Sequence, residues 1–113
     1  MNNLALLYLQ LRQPEKALET LNTLKQRFPE ESVNSNLGLV LGDLGRREEA
    51  LQAFTDAIEE SDEERPGPYW NRARLLEKMG RRREALLDYQ AVLRVDPTYR
   101  EAQLAIELMI ENS

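Results

Sequence analysis

The sequence predicts an all-α fold: three helical hairpins stacked in a row and closed by a further helix. Three observations carry the prediction. One motif occurs three times, as Leu11-Arg12-Gln13-Pro14-Glu15-Lys16-Ala17-Leu18, Leu44-Gly45-Arg46-Arg47-Glu48-Glu49-Ala50-Leu51 and Met79-Gly80-Arg81-Arg82-Arg83-Glu84-Ala85-Leu86. Its alanines fall at 17, 50 and 85, so the spacings are 33 and 35 residues. Within the copies apolar residues return with a helical period: Leu37, Leu41 and Leu44 at i, i+4, i+7, and likewise Ala50, Phe54, Ala57 and Ile58. No period-2 run bounded by turn residues gives a strand signal.

The elements follow in order. Helices are expected near 2–12 and 15–27, near 32–44 and 47–60, near 68–79 and 82–95, and near 99–111. Pro14 opens the second of these, because a first-turn residue has no use for its N–H. Gly45 and Gly80 sit just past a first helix, where a left-handed C-cap is easiest without a Cβ. Pro66-Gly67-Pro68 is expected to break the chain before the third hairpin, and Thr98-Tyr99-Arg100-Glu101 reads as a capping box for the last helix. The repeats are expected at about 1–30, 31–64 and 66–99, within a single domain spanning 1–113.

Composition narrows the chemistry. The 113 residues include no histidine and no cysteine. That removes disulfides, Cys/His metal sites and thiol or Ser-His nucleophiles. Lys16, Lys25, Lys78, carboxylates and a few hydroxyls remain, and no Gly-rich phosphate loop or Ca²⁺-loop spacing occurs. Glu48-Glu49 and Glu59-Glu60 lie at helix ends, where a charge favoured by the helix or by water is the simplest reading. No catalytic residue, metal or cofactor is expected, and no enzyme.

The net charge of −5 argues against nucleic acid as a partner. Residues 1–64 carry 6 basic and 13 acidic side chains, residues 65–113 carry 9 and 7, and the run Glu59-Glu60-Ser61-Asp62-Glu63-Glu64 ends at Arg65. No apolar run approaches the ~20 residues of a membrane span. The apolar start Met1–Leu9 lacks a basic leader, and no small-residue cleavage site follows. A soluble cytoplasmic protein is therefore expected rather than an exported one.

The repeated residues resemble the tetratricopeptide repeats, helix-turn-helix units of about 34 residues. The second copy supplies Leu37-Gly38, Leu41, Gly45, Ala50, Phe54 and Ala57; the third supplies Ala73, Leu76, Gly80, Ala85, Tyr89 and Pro97; the first supplies Leu4-Ala5, Tyr8, Ala17, Leu21 and Pro29. Arg12 replaces the turn glycine of the first, Arg72 stands where a leucine is usual in the third, and Asp62 replaces the closing proline of the second. The resemblance implies a right-handed α-solenoid of three repeats with a C-terminal capping helix. It also implies a protein-interaction module that binds a peptide or helix of a partner protein in a concave groove.

Small residues make the packing possible. Ala5, Gly38 and Ala73 on the first helices, and Ala17, Ala50 and Ala85 on the second, let each pair approach closely. If Leu37, Leu41 and Leu44 face the partner helix, Asn36, Leu39 and Asp43 face away. The repeat spacings carry these onto Asn3, Leu6 and Gln10 and onto Asn71, Arg74 and Lys78, with Trp70 one turn earlier in the third copy.

The asparagine row can pair with the backbone of an extended peptide or bond a neighbouring helix. The leucines and Trp70 offer an apolar floor or inter-repeat packing, and Arg74 and Lys78 a basic end for a carboxylate or a solvated surface. Some family members clamp a C-terminal carboxylate with lysines, arginine and asparagines. Asn2, Leu6, Gly67 and Asn71 stand at four of the clamp positions here and only Asn36 fits, so that specificity is not expected. The alternative role is structural, with the chain self-associating or stacking within a longer array. The apolar first and last helices, the latter with Ala102, Leu104, Ala105, Ile106, Leu108, Met109 and Ile110, favour covered ends.

Overall fold

The computed structural model describes residues 13–27, 33–60 and 64–111. These form six helices and no strand: α1 (Pro14–Arg27), α2 (Asn34–Asp43), α3 (Arg47–Glu60), α4 (Pro66–Lys78), α5 (Arg82–Val95) and α6 (Arg100–Glu111). The expected helix near 2–12 lies outside the described residues. The chain divides into two compact units, Met1–Ala57 and Ile58–Ser113, with the boundary inside α3.

In the first unit α1 packs on α2. Ala17, Leu21 and Leu24 recur at i, i+4, i+7 and are buried to 2% exposure or less. Leu37, Val40 and Leu41 bury one side of α2, and Ala50, Ala53, Phe54 and Ala57 bury the facing side of α3. The α2–α3 crossing is close because Gly38 has no side chain. A Cβ built there would stand 2.6 Å from Cδ1 of the Phe54 ring, well inside van der Waals contact. The turn between these helices is a Schellman motif. Gly45 has φ +79°, its N–H donates to the Gly42 carbonyl at 3.0 Å, and Arg46 N–H donates to the Leu41 carbonyl at 2.9 Å.

The second unit repeats the hairpin with α4 and α5 and lays α6 on α5. Its turn uses Gly80 at φ +77°, with Gly80 N–H to the Glu77 carbonyl at 3.1 Å and Arg81 N–H to the Leu76 carbonyl at 2.9 Å. Ala73, Ala85, Tyr89 and Val92 have no exposed surface, and Leu75 and Leu76 are nearly as buried. Ala102 and Met109 turn one side of α6 inward, while Leu104, Leu108 and Ile110 are 52%, 57% and 63% exposed. Leu104, Leu108 and Ile110 thus leave apolar surface of α6 uncovered among the described residues.

Two expectations are corrected. Pro66-Gly67-Pro68 does not break the chain; it forms the first turn of α4, with extended Arg65 as N-cap. The first N–H groups of a helix have no intrahelical partner, so prolines there forfeit nothing. Thr98 does not build a capping box. Its hydroxyl donates to Asp96 Oδ1 at 2.6 Å and its N–H reaches the same oxygen at 3.1 Å, a local turn that outcompetes the cap. Gln103 from within α6 donates instead to the Pro97 carbonyl at 2.8 Å.

Candidate functional site

The two described first helices, α2 and α4, each have a face turned away from the packing seam. On α2, burial of Leu37 and Leu41 leaves Asn36 half-buried, Leu39 36% exposed and Asp43 exposed. These three fall at i, i+3, i+7 and form one stripe. On α4, burial of Ala73 and Leu76 leaves Asn71 half-buried and Arg74 and Lys78 exposed, at the same register. The structure therefore puts Asn36, Leu39 and Asp43 together in the first unit, and Asn71, Arg74 and Lys78 together in the second. Asn3, Leu6 and Gln10 lie outside the described residues.

Trp70 is tied into the second unit more firmly than its place in the row suggested. It is half-buried, with ring centroids of Tyr89 and Tyr99 each 5.4 Å away at tilted angles. Such tilted pairs suit the ring quadrupoles. The Arg74 guanidinium lies 5.5 Å from the Trp70 centroid. Trp70 thus fixes the basic end of the α4 stripe from below, through a contact of about 0.5–1 kcal/mol.

Behind the stripe are two polar pairs that the repeat pattern alone did not point to. Arg72 Nε donates to Asp88 Oδ2 at 2.7 Å and Nη2 donates to Oδ1 at 2.8 Å, a bidentate bridge between α4 and α5. The Asp88 side chain is 7% exposed and that of Arg72 23%. The hydrogen bond to Asp88 raises the affinity of the Arg72 guanidinium for its proton, against the opposing effect of burial. Arg72 also lies 5.8 Å from the Tyr69 centroid, as does Arg94, which pairs with Glu64 at 2.7 Å.

Tyr89 supplies the second pair: its hydroxyl donates to Glu77 Oε1 at 2.6 Å. Burial, then the Glu77 hydrogen bond and charge, push the phenol well above its ordinary value of 10.0. One signal could have found the first bridge. Thirty-five residues earlier stand Leu37 and Ala53, so two apolar positions change together into a cation and an anion.

The helix starts repeat as well. Arg46 makes a two-point bridge to Glu49 at 2.9 and 2.6 Å, and Arg81 to Glu84 at 2.9 and 2.7 Å. The Arg46 and Arg81 carbonyls accept the first intrahelical bonds, from Ala50 and Ala85. The paired glutamates thus lie at the positive end of α3 and α5. The Arg46 contact holds the Glu49 carboxyl below its ordinary range. No described helix is long and apolar enough to cross a membrane.

Comparison with known proteins agrees with this architecture. Residues 3–31 match one model of the tetratricopeptide repeat, and residues 32–63 and 67–99 match a second. No curated protein matches the sequence. Among solved structures, a tetratricopeptide repeat protein from Parabacteroides merdae ATCC 43184 superposes with a TM-score of 0.83 at 24% identity. That match covers 95% of this chain and 43% of the other. MamA superposes with a TM-score of 0.86 at 20% identity, over 97% of this chain and 64% of its own. The likeness shows the all-α helical-repeat fold, and the chain spans about half to two thirds of those longer proteins. The repeated Schellman turns, the small residues at the crossings and the matched segments lead to one conclusion: the chain belongs to the tetratricopeptide repeat family.

Proposed function

We propose that the chain is a protein-binding module, not an enzyme, which takes an extended peptide or a helix of a partner protein along the exposed faces of its first helices. The observation that carries this is the stripe on each first helix. Asn36, Leu39 and Asp43 on α2, and Asn71, Arg74 and Lys78 on α4, occupy matching positions opposite the packed seam. Leu39 supplies an apolar contact, the asparagine amides offer donor and acceptor to a peptide backbone, and Arg74 with Lys78 suits a carboxylate. The groove in which such a ligand would lie, with Asn3, Leu6 and Trp70 as further lining, is the one the family resemblance implies.

A peptide array probed with the wild-type chain, Asn36→Ala and Arg74→Ala tests the reading. Peptides bound by the wild type should lose on the order of 1–3 kcal/mol of affinity with each variant. Unchanged affinity in both, with helical content preserved, removes the groove assignment. A second reading is structural, and the exposed Leu104 and Leu108 of α6 favour it. In that reading copies of the chain, or further repeats, cover α6. A sedimentation series across dilution separates the two, because stacking between copies makes the mass depend on concentration.

A further inference from the structure

The second unit carries an apolar recess away from the stripe of α4. It is lined by Arg82, Arg83, Leu86, Met109 and Ile110. The first three come from the start of α5 and the last two from the end of α6. The two arginines have different employment. Arg82 Nη2 donates to the Met109 carbonyl at 3.3 Å and so satisfies one of the terminal carbonyls of α6. Arg83 is exposed and makes no ion pair or hydrogen bond among the described residues. No carboxylate lines the recess, and Ile110 is 63% exposed at its edge.

We propose that this recess docks an acidic segment of a partner protein. One bulky apolar side chain of that segment sits against Leu86, Met109 and Ile110, and a neighbouring carboxylate pairs with Arg83. Charge selects the occupant. Arg82 and Arg83 line the recess through their stems with no carboxylate among the lining, so their charge at its rim is uncompensated there. The positive N-terminal pole of α5 and the negative C-terminal pole of α6 meet at the same place and oppose each other. A basic segment would meet like charge there. Symmetric docking of a second copy through the same recess would set Arg82 and Arg83 against their own equivalents. An arginine beside a buried apolar anchor is also the composition that concentrates binding energy at protein interfaces. The recess does not depend on the stripe reading, since none of its residues belongs to α2 or α4.

The test uses a fluorescently labelled synthetic peptide with a central Leu-Phe pair flanked by Asp and Glu, titrated with the intact chain. Saturable binding is expected that weakens at least tenfold with Arg83→Glu or Ile110→Ser and falls as salt rises. The same peptide with Lys in place of its acids should not bind. Asn36→Ala should bind as the wild type does, which keeps this surface distinct from the stripe. Both altered side chains are exposed, and circular dichroism checks that each variant keeps its helices; Arg83→Glu alone decides if Ile110→Ser does not fold. Equal binding of the lysine peptide, unchanged affinity in Arg83→Glu, or no saturable binding up to millimolar peptide overturns the proposal. So does a concentration-dependent dimer that Arg83→Glu dissolves, because the occupant is then a second copy.

Discussion

The α2–α3 and α4–α5 hairpins are the same device built with different chemistry. At a 35-residue offset, Gly38, Gly42 and Phe54 of the first become Ala73, Glu77 and Tyr89 of the second. In the first hairpin the Phe54 ring occupies the space that a missing Cβ leaves at Gly38. In the second, the crossing residue has a methyl group and the ring carries a hydroxyl, which Glu77 accepts. Leu37 and Ala53 become Arg72 and Asp88, so an apolar contact becomes a bidentate bridge. The comparison teaches that the helix crossing tolerates either a dry seam or a polar one, provided the change is made on both helices together. A change on one helix alone leaves a buried group without its partner.

The largest test of that lesson breaks the bridge on one side. Arg72→Met should destabilise the chain by about 3–5 kcal/mol, because Asp88 is left charged and buried. Arg72→Leu with Asp88→Ala recreates the Leu37/Ala53 pattern and should recover most or all of that loss. Urea melts of the single and double variants measure the coupling; additive effects would show that the two positions are independent.

An intermediate effect is expected at the crossing residue. Gly38→Ala should cost about 1–3 kcal/mol from overpacking against Phe54, reduced by the ~1 kcal/mol by which alanine favours a helix over glycine. Gly38→Ala with Phe54→Leu should relieve the crowding. The reciprocal Ala73→Gly should cost about 2 kcal/mol, since without a clash it still removes a fully buried methyl group and helix propensity, each worth about 1 kcal/mol. Thermal melts followed by circular dichroism compare the three, and a Gly38→Ala variant more stable than wild type would refute the close approach.

The smallest effect concerns the hydroxyl that distinguishes the two rings. Tyr89→Phe should cost about 1 kcal/mol at neutral pH, since Glu77 is exposed and regains water. The pH dependence is more telling. The folded phenol titrates above its unfolded value of 10.0. Its contribution is therefore complete below pH 10 and is lost as pH rises through the folded value, because unfolding then releases a proton. Stability of the wild type measured by denaturant melts should fall faster above pH 10 than that of Tyr89→Phe. Parallel curves would mean that the phenol is not held in its neutral form.

Much of this molecule is legible in the chain, and the reason is locality. A helix needs contacts only three and four residues away, so Ala17, Leu21 and Leu24 announce α1, and Pro14 marks its start. The glycine C-caps at Gly45 and Gly80 follow from a backbone torsion that glycine alone adopts cheaply. The motif spacing also identified the stripes of Asn36, Leu39 and Asp43 and of Asn71, Arg74 and Lys78 as the sides turned from the seam. What lies across the seam required the fold. Arg72 meets Asp88 sixteen residues away and Tyr89 meets Glu77 twelve away, so each pairing depends on how two helices lie together. For Trp70 the sequence left an apolar floor and packing within the repeats both open, and only the fold shows its ring beside Tyr89 and Tyr99. Even the two boundary errors have this origin. Pro66 and Pro68 punctuate a chain or begin a helix with equal ease, and Thr98 can cap a helix or bond Asp96. Local sequence allows both outcomes at each place, and the position at which α5, α6 and their neighbours must pack selects one.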